Sequence, residues 1–173
     1  MKKILFAVML MAALGASSCK KKSDDPAPLQ NAWTVDFAGN NTTYTSKTVT
    51  LNIQGYGVLK SISNDRTAGG YGGVSSTLTV YFKGMPLADK TYKITTLSRI
   101  ATHDDEVAIE ALIFGDPAMG LSQAVWASEG DGSQTLNYKF ANSKGSADFS
   151  NVTLFNGVNL GKKSAVVSGN IAQ

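Results

Sequence analysis

Cysteine and histidine occur once each in the 173 residues, as Cys19 and His103. One cysteine excludes an intramolecular disulfide framework. One histidine and one cysteine cannot supply the several ligands of a transition-metal site. Glutamate and arginine are few, and helical periodicity is nearly absent beyond the first residues. The sequence contains no G-x-S-x-G elbow for a nucleophilic serine. It has no EF-hand spacing of acids around a glycine, and no glycine loop followed by Lys-Ser/Thr. No apolar run approaches the roughly 20 residues that a membrane-spanning helix requires. No internal repeat is visible.

What is present begins with Met1-Lys2-Lys3, an apolar run from Ile4 to Leu14, and the small residues Gly15 to Ser18. A basic start, a short apolar core and a small-residue exit form a secretory signal peptide. The run "LGASSC" resembles a bacterial lipobox, in which the thiol is alkylated by diacylglycerol and the chain is cut before the cysteine. Ala16 stands where the usual motif has leucine, and Leu14 lies five residues before Cys19. That looseness is similar to the lipoproteins of Bacteroidota. The resemblance implies lipidation of Cys19 with acyl chains such as palmitate, and anchoring to the outer membrane. The other reading is an ordinary signal peptide cut near Ser18. Two or more acyl chains, at roughly 0.8 kcal/mol per buried CH₂, anchor stably.

The stretch "KKKSDDPAPLQN" has a tether's composition, polar and proline-containing, with too little apolar surface for a core. Ser23-Asp24-Asp25 resembles the surface-export signal that follows the cysteine in such lipoproteins, and a plain solvated linker is the equal alternative. The expected organisation is a signal peptide over 1–18, a tether over 19–30 and one domain over 31–173. Losing residues 1–18 removes Lys2 and Lys3, leaving fourteen basic and thirteen acidic residues and a formal charge of +1. Beyond the tether the basic residues are scattered, which excludes a nucleic-acid face.

The domain reads as strands. Alternation with period two marks Trp33/Val35/Phe37, Val49/Leu51/Ile53, Leu78/Val80/Phe82, Tyr92/Ile94 and Leu136/Tyr138/Phe140. "EVAIEALIF" begins alternating and ends continuously apolar. "VTLF" and "AVVSGNI" close the set, with weaker strands at Val58–Ile62 and around Val125-Trp126. Turn chemistry falls at Gly39-Asn40-Asn41, Gly84-Met85-Pro86 and Gly115-Asp116-Pro117, with hairpin signals at Asp131-Gly132 and Asn156-Gly157. "PLADKTYKI" has room for one helical turn. The expected fold is all-β, a single antiparallel β-sandwich of immunoglobulin-like or jelly-roll-like kind. The segment "SADFSNVTLFNGVNL…AVVSGNI" resembles the closing strands of small Bacteroidota lipoprotein domains, a likeness that carries no catalytic residues.

Three constellations carry candidate chemistry. In "THDDE", Asp104, Asp105 and Glu106 offer hard oxygens for calcium, and His103 offers a base oriented by a carboxylate. The alternative is an exposed loop entering a strand, where adjacent acids point to opposite faces and chelate poorly. In "AGGYGGV", Tyr71 is either a stacking platform for a sugar ring or part of a flexible hairpin connection. Tyr56 and Trp126, each near a glycine-bearing turn, either join that platform or pack in the core. The leading functional expectation is a non-enzymatic binding or accessory module for glycan or envelope protein. The alternatives are a hydrolase centred on His103 and its acids, and a structural lipoprotein that pairs by a sheet edge.

The lipobox reading is testable directly. Cys19→Ala is expected to lose labelled palmitate and to move from the detergent phase to the aqueous phase on partitioning. A variant that stays in the detergent phase contradicts it.

Overall fold

The structure, a computed structural model, describes residues 31–66, 75–116, 121–156 and 163–173. Ten strands and one helical turn follow one another: β1 (Ala32–Phe37), β2 (Asn40–Ile53), β3 (Tyr56–Arg66), β4 (Ser75–Phe82), β5 (Lys90–Thr95), α1 (Leu97–Ile100), β6 (Glu106–Asp116), β7 (Leu121–Ser128), β8 (Thr135–Ala141), β9 (Lys144–Asn156) and β10 (Ser164–Ala172). The chain is all-β, as the alternation predicts, and its strands form one sheet in the order β10-β1-β2-β3-β4-β6-β5-β8-β9-β7. Every pairing is antiparallel except β5–β6. Additional ladders β10–β9 and β6–β7 carry the pairing round to its start. The pairing therefore closes on itself.

Closure requires two strands to fork. β6 pairs β5 through Glu106–Ala108 and β7 from Glu110 onward. β9 pairs β8 up to Phe149 and β7 from Leu154 onward. Side chains bridge both forks. At β6, the buried Ser128 Oγ accepts from Ile109 N at 2.9 Å and donates to the Thr95 carbonyl at 2.5 Å. At β9, Gln134 donates to the Asn151 carbonyl at 2.6 Å and accepts from Thr153 N at 3.2 Å. Buried backbone groups need partners, and Ser128 supplies them; Gln134 does the same for an exposed carbonyl and a half-buried N–H where β9 changes neighbour.

Two-residue turns at Ala38-Gly39, Gln54-Gly55 and Asn142-Ser143 join adjacent strands, with positive φ at both central positions. That is the type I′ requirement. The Gly39 turn thus begins at Ala38, and Asn40 and Asn41 already belong to β2. Asp131-Gly132 is a turn, but it lies between β7 and β8, which do not pair, so it closes no hairpin. Gly157 lies outside the described residues. The helical turn is α1, several residues later than "PLADKTYKI" predicts. Among the described residues no helix is long and apolar enough to cross a membrane.

One core contains the expected alternating faces: Trp33, Val35, Leu78, Val80, Phe82, Tyr92, Ile94, Leu136 and Tyr138 are all buried. β2 departs from its sequence pattern. Ser46 and Thr48 are buried, while Leu51 is 41% exposed. Ser61 Oγ donates to Ser46 Oγ at 2.5 Å, and Ser46 Oγ also reaches the Asn31 carbonyl. These hydrogen bonds allow Ser46 and Ser61 to face inward, whereas the buried Thr48 hydroxyl meets no hydrogen-bond partner among the described residues. α1 lies against β6 and β4. Ile100, Val58 and Ala108 are buried without belonging to the main core.

Ser128→Ala leaves the Ile109 N–H and the Thr95 carbonyl unpartnered in the interior. It is expected to cost about 2–3 kcal/mol in urea unfolding. Ser164→Ala, at an exposed strand start, is expected to be neutral within about 0.5 kcal/mol.

Candidate functional site

The connection between the parallel strands β5 and β6 carries His103, Asp104 and Asp105, and Glu106 opens β6. Each acid meets its own cation. Lys83 Nζ is 2.7 Å from Asp104 Oδ1, and Lys93 Nζ is 3.3 Å from Asp105 Oδ2. Arg99 grips Glu106 with two bonds, Nε to Oε2 at 3.0 Å and Nη2 to Oε1 at 2.6 Å. Lys90 Nζ adds a bond to the Asp104 carbonyl at 2.7 Å. The cationic partners, bonded to the acids, hold all three carboxyls below their ordinary range. His103 Nδ1 lies 3.0 Å from the Arg99 carbonyl, which orients the ring in place of a carboxylate. The acids diverge onto separate partners, and the described residues contain no group of three or more metal-binding side chains. The arrangement fastens the crossover to the sheet; it does not converge on a cation or a substrate.

The aromatic candidates are not brought together. Trp126 is fully buried, edge-on to Phe37 at 5.7 Å. It therefore presents no ring face to solvent, which corrects its reading as a platform. Tyr56 is half-buried on the outer face and meets Tyr81 edge-on at 6.4 Å. Burial, together with Glu110, pushes the Tyr81 phenol up, and burial pushes Glu110 itself up against the opposing effect of Lys60. Tyr71 and Cys19 lie outside the described residues.

A concavity lies elsewhere among the described residues. A groove of about 560 Å³ lies on the outer face of β5, β8, β9 and β10. Thr91 pairs with Asn137, Asn137 with Asp148 and Asp148 with Asn170, so one row of four polar side chains crosses four strands. Asp89, Lys90, Lys139 and Ser146 flank the row. Thr91 Oγ1 donates to Asn137 Oδ1 at 2.8 Å, and Asn170 Nδ2 to Asp148 Oδ2 at 3.3 Å. Asp89 Oδ1, just before β5 begins, accepts from Phe140 N at 2.8 Å. The Tyr138 ring lies beneath, 2% exposed, with its hydroxyl on the Pro86 carbonyl at 3.1 Å.

A β-bulge places part of this row. Opposite Ser168, β9 inserts Ser150 and Asn151 between Phe149 and Val152. Asn151 has φ of 54° and donates to Ser168 Oγ at 2.9 Å. The extra residue lets Phe149 and Val152, three apart, both face the core. Asp148 consequently points outward, opposite Asn170. Each groove residue sits on the polar side of an alternating strand, which the sequence displays. Their convergence depends on register and on the bulge.

Searches against family models, curated proteins and solved structures return no match.

The ion pairs imply a pH dependence. The Glu106 carboxyl is depressed below its ordinary value of 4.5. The stability it contributes is therefore complete above that value and is lost as pH falls through the lower folded value. Arg99→Met is expected to lower stability at pH 7 and to flatten its dependence between about pH 5 and 3, measured by urea unfolding at each pH. An unchanged acid limb in the variant would contradict the assignment.

Proposed function

We propose that this protein is a lipid-anchored component of the bacterial outer membrane that works as a non-enzymatic binding module, with the groove over β5, β8, β9 and β10 as its ligand site. The membrane attachment follows from the lipobox reading of Cys19. The observation that carries the binding reading is the registered row Thr91–Asn137–Asp148–Asn170 in a groove of about 560 Å³. Concave sites of this size, with polar groups fixed on rigid elements, are where small ligands bind. The row's own hydrogen bonds hold its side chains before a ligand arrives, which reduces the ordering cost of binding.

The hydrolase alternative asks a carboxylate to orient His103 as a base. Asp104, Asp105 and Glu106 are each engaged by a cation instead, and His103 Nδ1 lies against the Arg99 carbonyl. Edge pairing with a partner strand needs exposed ladder groups, and the circuit of pairings leaves few of them.

The test is retention of the detergent-solubilised full chain on immobilised envelope polymers, polysaccharide-rich and protein-rich fractions separately. Wild type is expected to be retained on one fraction without degrading it. Asn137→Ala/Asp148→Ala is expected to pass through with an unchanged melting curve. Equal retention of the double variant overturns the groove as the binding site, and degradation of the polymer overturns the non-enzymatic reading.

A further inference from the structure

Resting on the groove being a ligand site, we infer that its ligand is a neutral, polyhydroxylated chain, an oligosaccharide lying across the four strands. Charge is the first argument. Asp89 and Asp148 balance Lys90 and Lys139 in the lining. A polyanion or polycation would gain nothing from that balance, whereas a neutral ligand needs it.

The free hydrogen-bonding valences are the second argument. Thr91 Oγ1 occupies Asn137 Oδ1, so the two Asn137 amide hydrogens are left to donate. Asn170 Nδ2 occupies Asp148 Oδ2, so Asp148 Oδ1 and Asn170 Oδ1 are left to accept. Donor and acceptors thus stand side by side, one strand spacing of about 4.8 Å apart. A sugar hydroxyl both donates and accepts, and vicinal hydroxyls satisfy such neighbours in pairs. Three spacings make the row about 14 Å long, enough for two or three sugar rings.

The third argument separates this ligand from a peptide. Peptides bind sheets by adding a strand to a free edge or by seating apolar side chains in pockets. Here β8 and β9 are paired on both sides, with β5 and β10 as their outer neighbours. The Tyr138 ring, which would be the apolar anchor, is buried and tied to Pro86. With no ring face to stack on, the hydrogen-bonding row carries the recognition.

The test titrates the ¹⁵N-labelled, detergent-solubilised full chain with maltotetraose, cellotetraose and xylotetraose, alongside tetragalacturonate and a polar tetrapeptide. The side-chain NH₂ signals of Asn137 and Asn170 report directly on the row. At least one neutral tetrasaccharide is expected to shift both signals saturably. In Asn137→Asp, which keeps the shape and replaces donors with an acceptor, its affinity is expected to fall about tenfold. The inference is overturned by preferential binding of tetragalacturonate or of the peptide, or by Asn137→Asp binding as well as wild type. It is also overturned if no neutral chain shifts the signals while polymer retention still depends on Asn137 and Asp148. In that last case the groove remains a binding site and only the ligand class is wrong.

Discussion

Backbone hydrogen bonds that return to their own starting strand are the constraint on which the rest of this protein depends. A closed ladder gives buried peptide groups partners and leaves little edge for another chain. It also imposes a mismatch, because β6 and β9 run longer than any one neighbour between them. The gap is filled by β5 and β8 over one part and by β7 over the other. Ser128 and Gln134 stand at the two changeovers and mimic the missing strand residue with a hydroxyl and an amide. Two short polar side chains thus allow ten strands to share one core.

The single parallel pairing has a related cost. Parallel neighbours need a crossover, commonly of a dozen or more residues. Here residues 96–105 make it. So short a connection contributes little apolar area beyond Ile100. Ionic contacts supply the rest, with lysines from the end of β4 and from β5 meeting acids as the chain descends to β6. The densest polar cluster in the sequence is therefore explained by chain geometry. Solvent screens the exposed Lys83–Asp104 and Lys93–Asp105 pairs, which contribute less than their number suggests. Glu106, with its carboxylate nearly sequestered under Arg99, matters most.

Much of this architecture is legible along the chain. Alternation marks the strands because each has one face in a core, and Trp33, Leu78, Ile94 and Leu136 point where their pattern says. β2 misleads because Ser46, Ser61 and Thr48 can turn inward once the serines bond to each other and to the chain, which frees the apolar positions to face out. Trp126 misleads because proximity to turns in sequence says nothing of depth. The groove is legible only in pieces. Thr91, Asn137, Asp148 and Asn170 are separated by up to 79 positions, and local patterning does not encode which residue stands opposite which. The bulge at Asn151 matters as much as any of the four, since an unbroken strand would turn Asp148 away from them.

Asn31 precedes β1 in a left-handed conformation, with Ser46 N on its carbonyl and Ala172 N on its side chain. β1 is held between β2 and β10 along its length. Antiparallel hydrogen bonds lie perpendicular to the strands. A pull applied at Asn31 along the strand loads both ladders in shear. The bonds then resist together instead of opening one after another. A load entering the described residues at Asn31 is thus shared along β1, where a strand entering at right angles would peel.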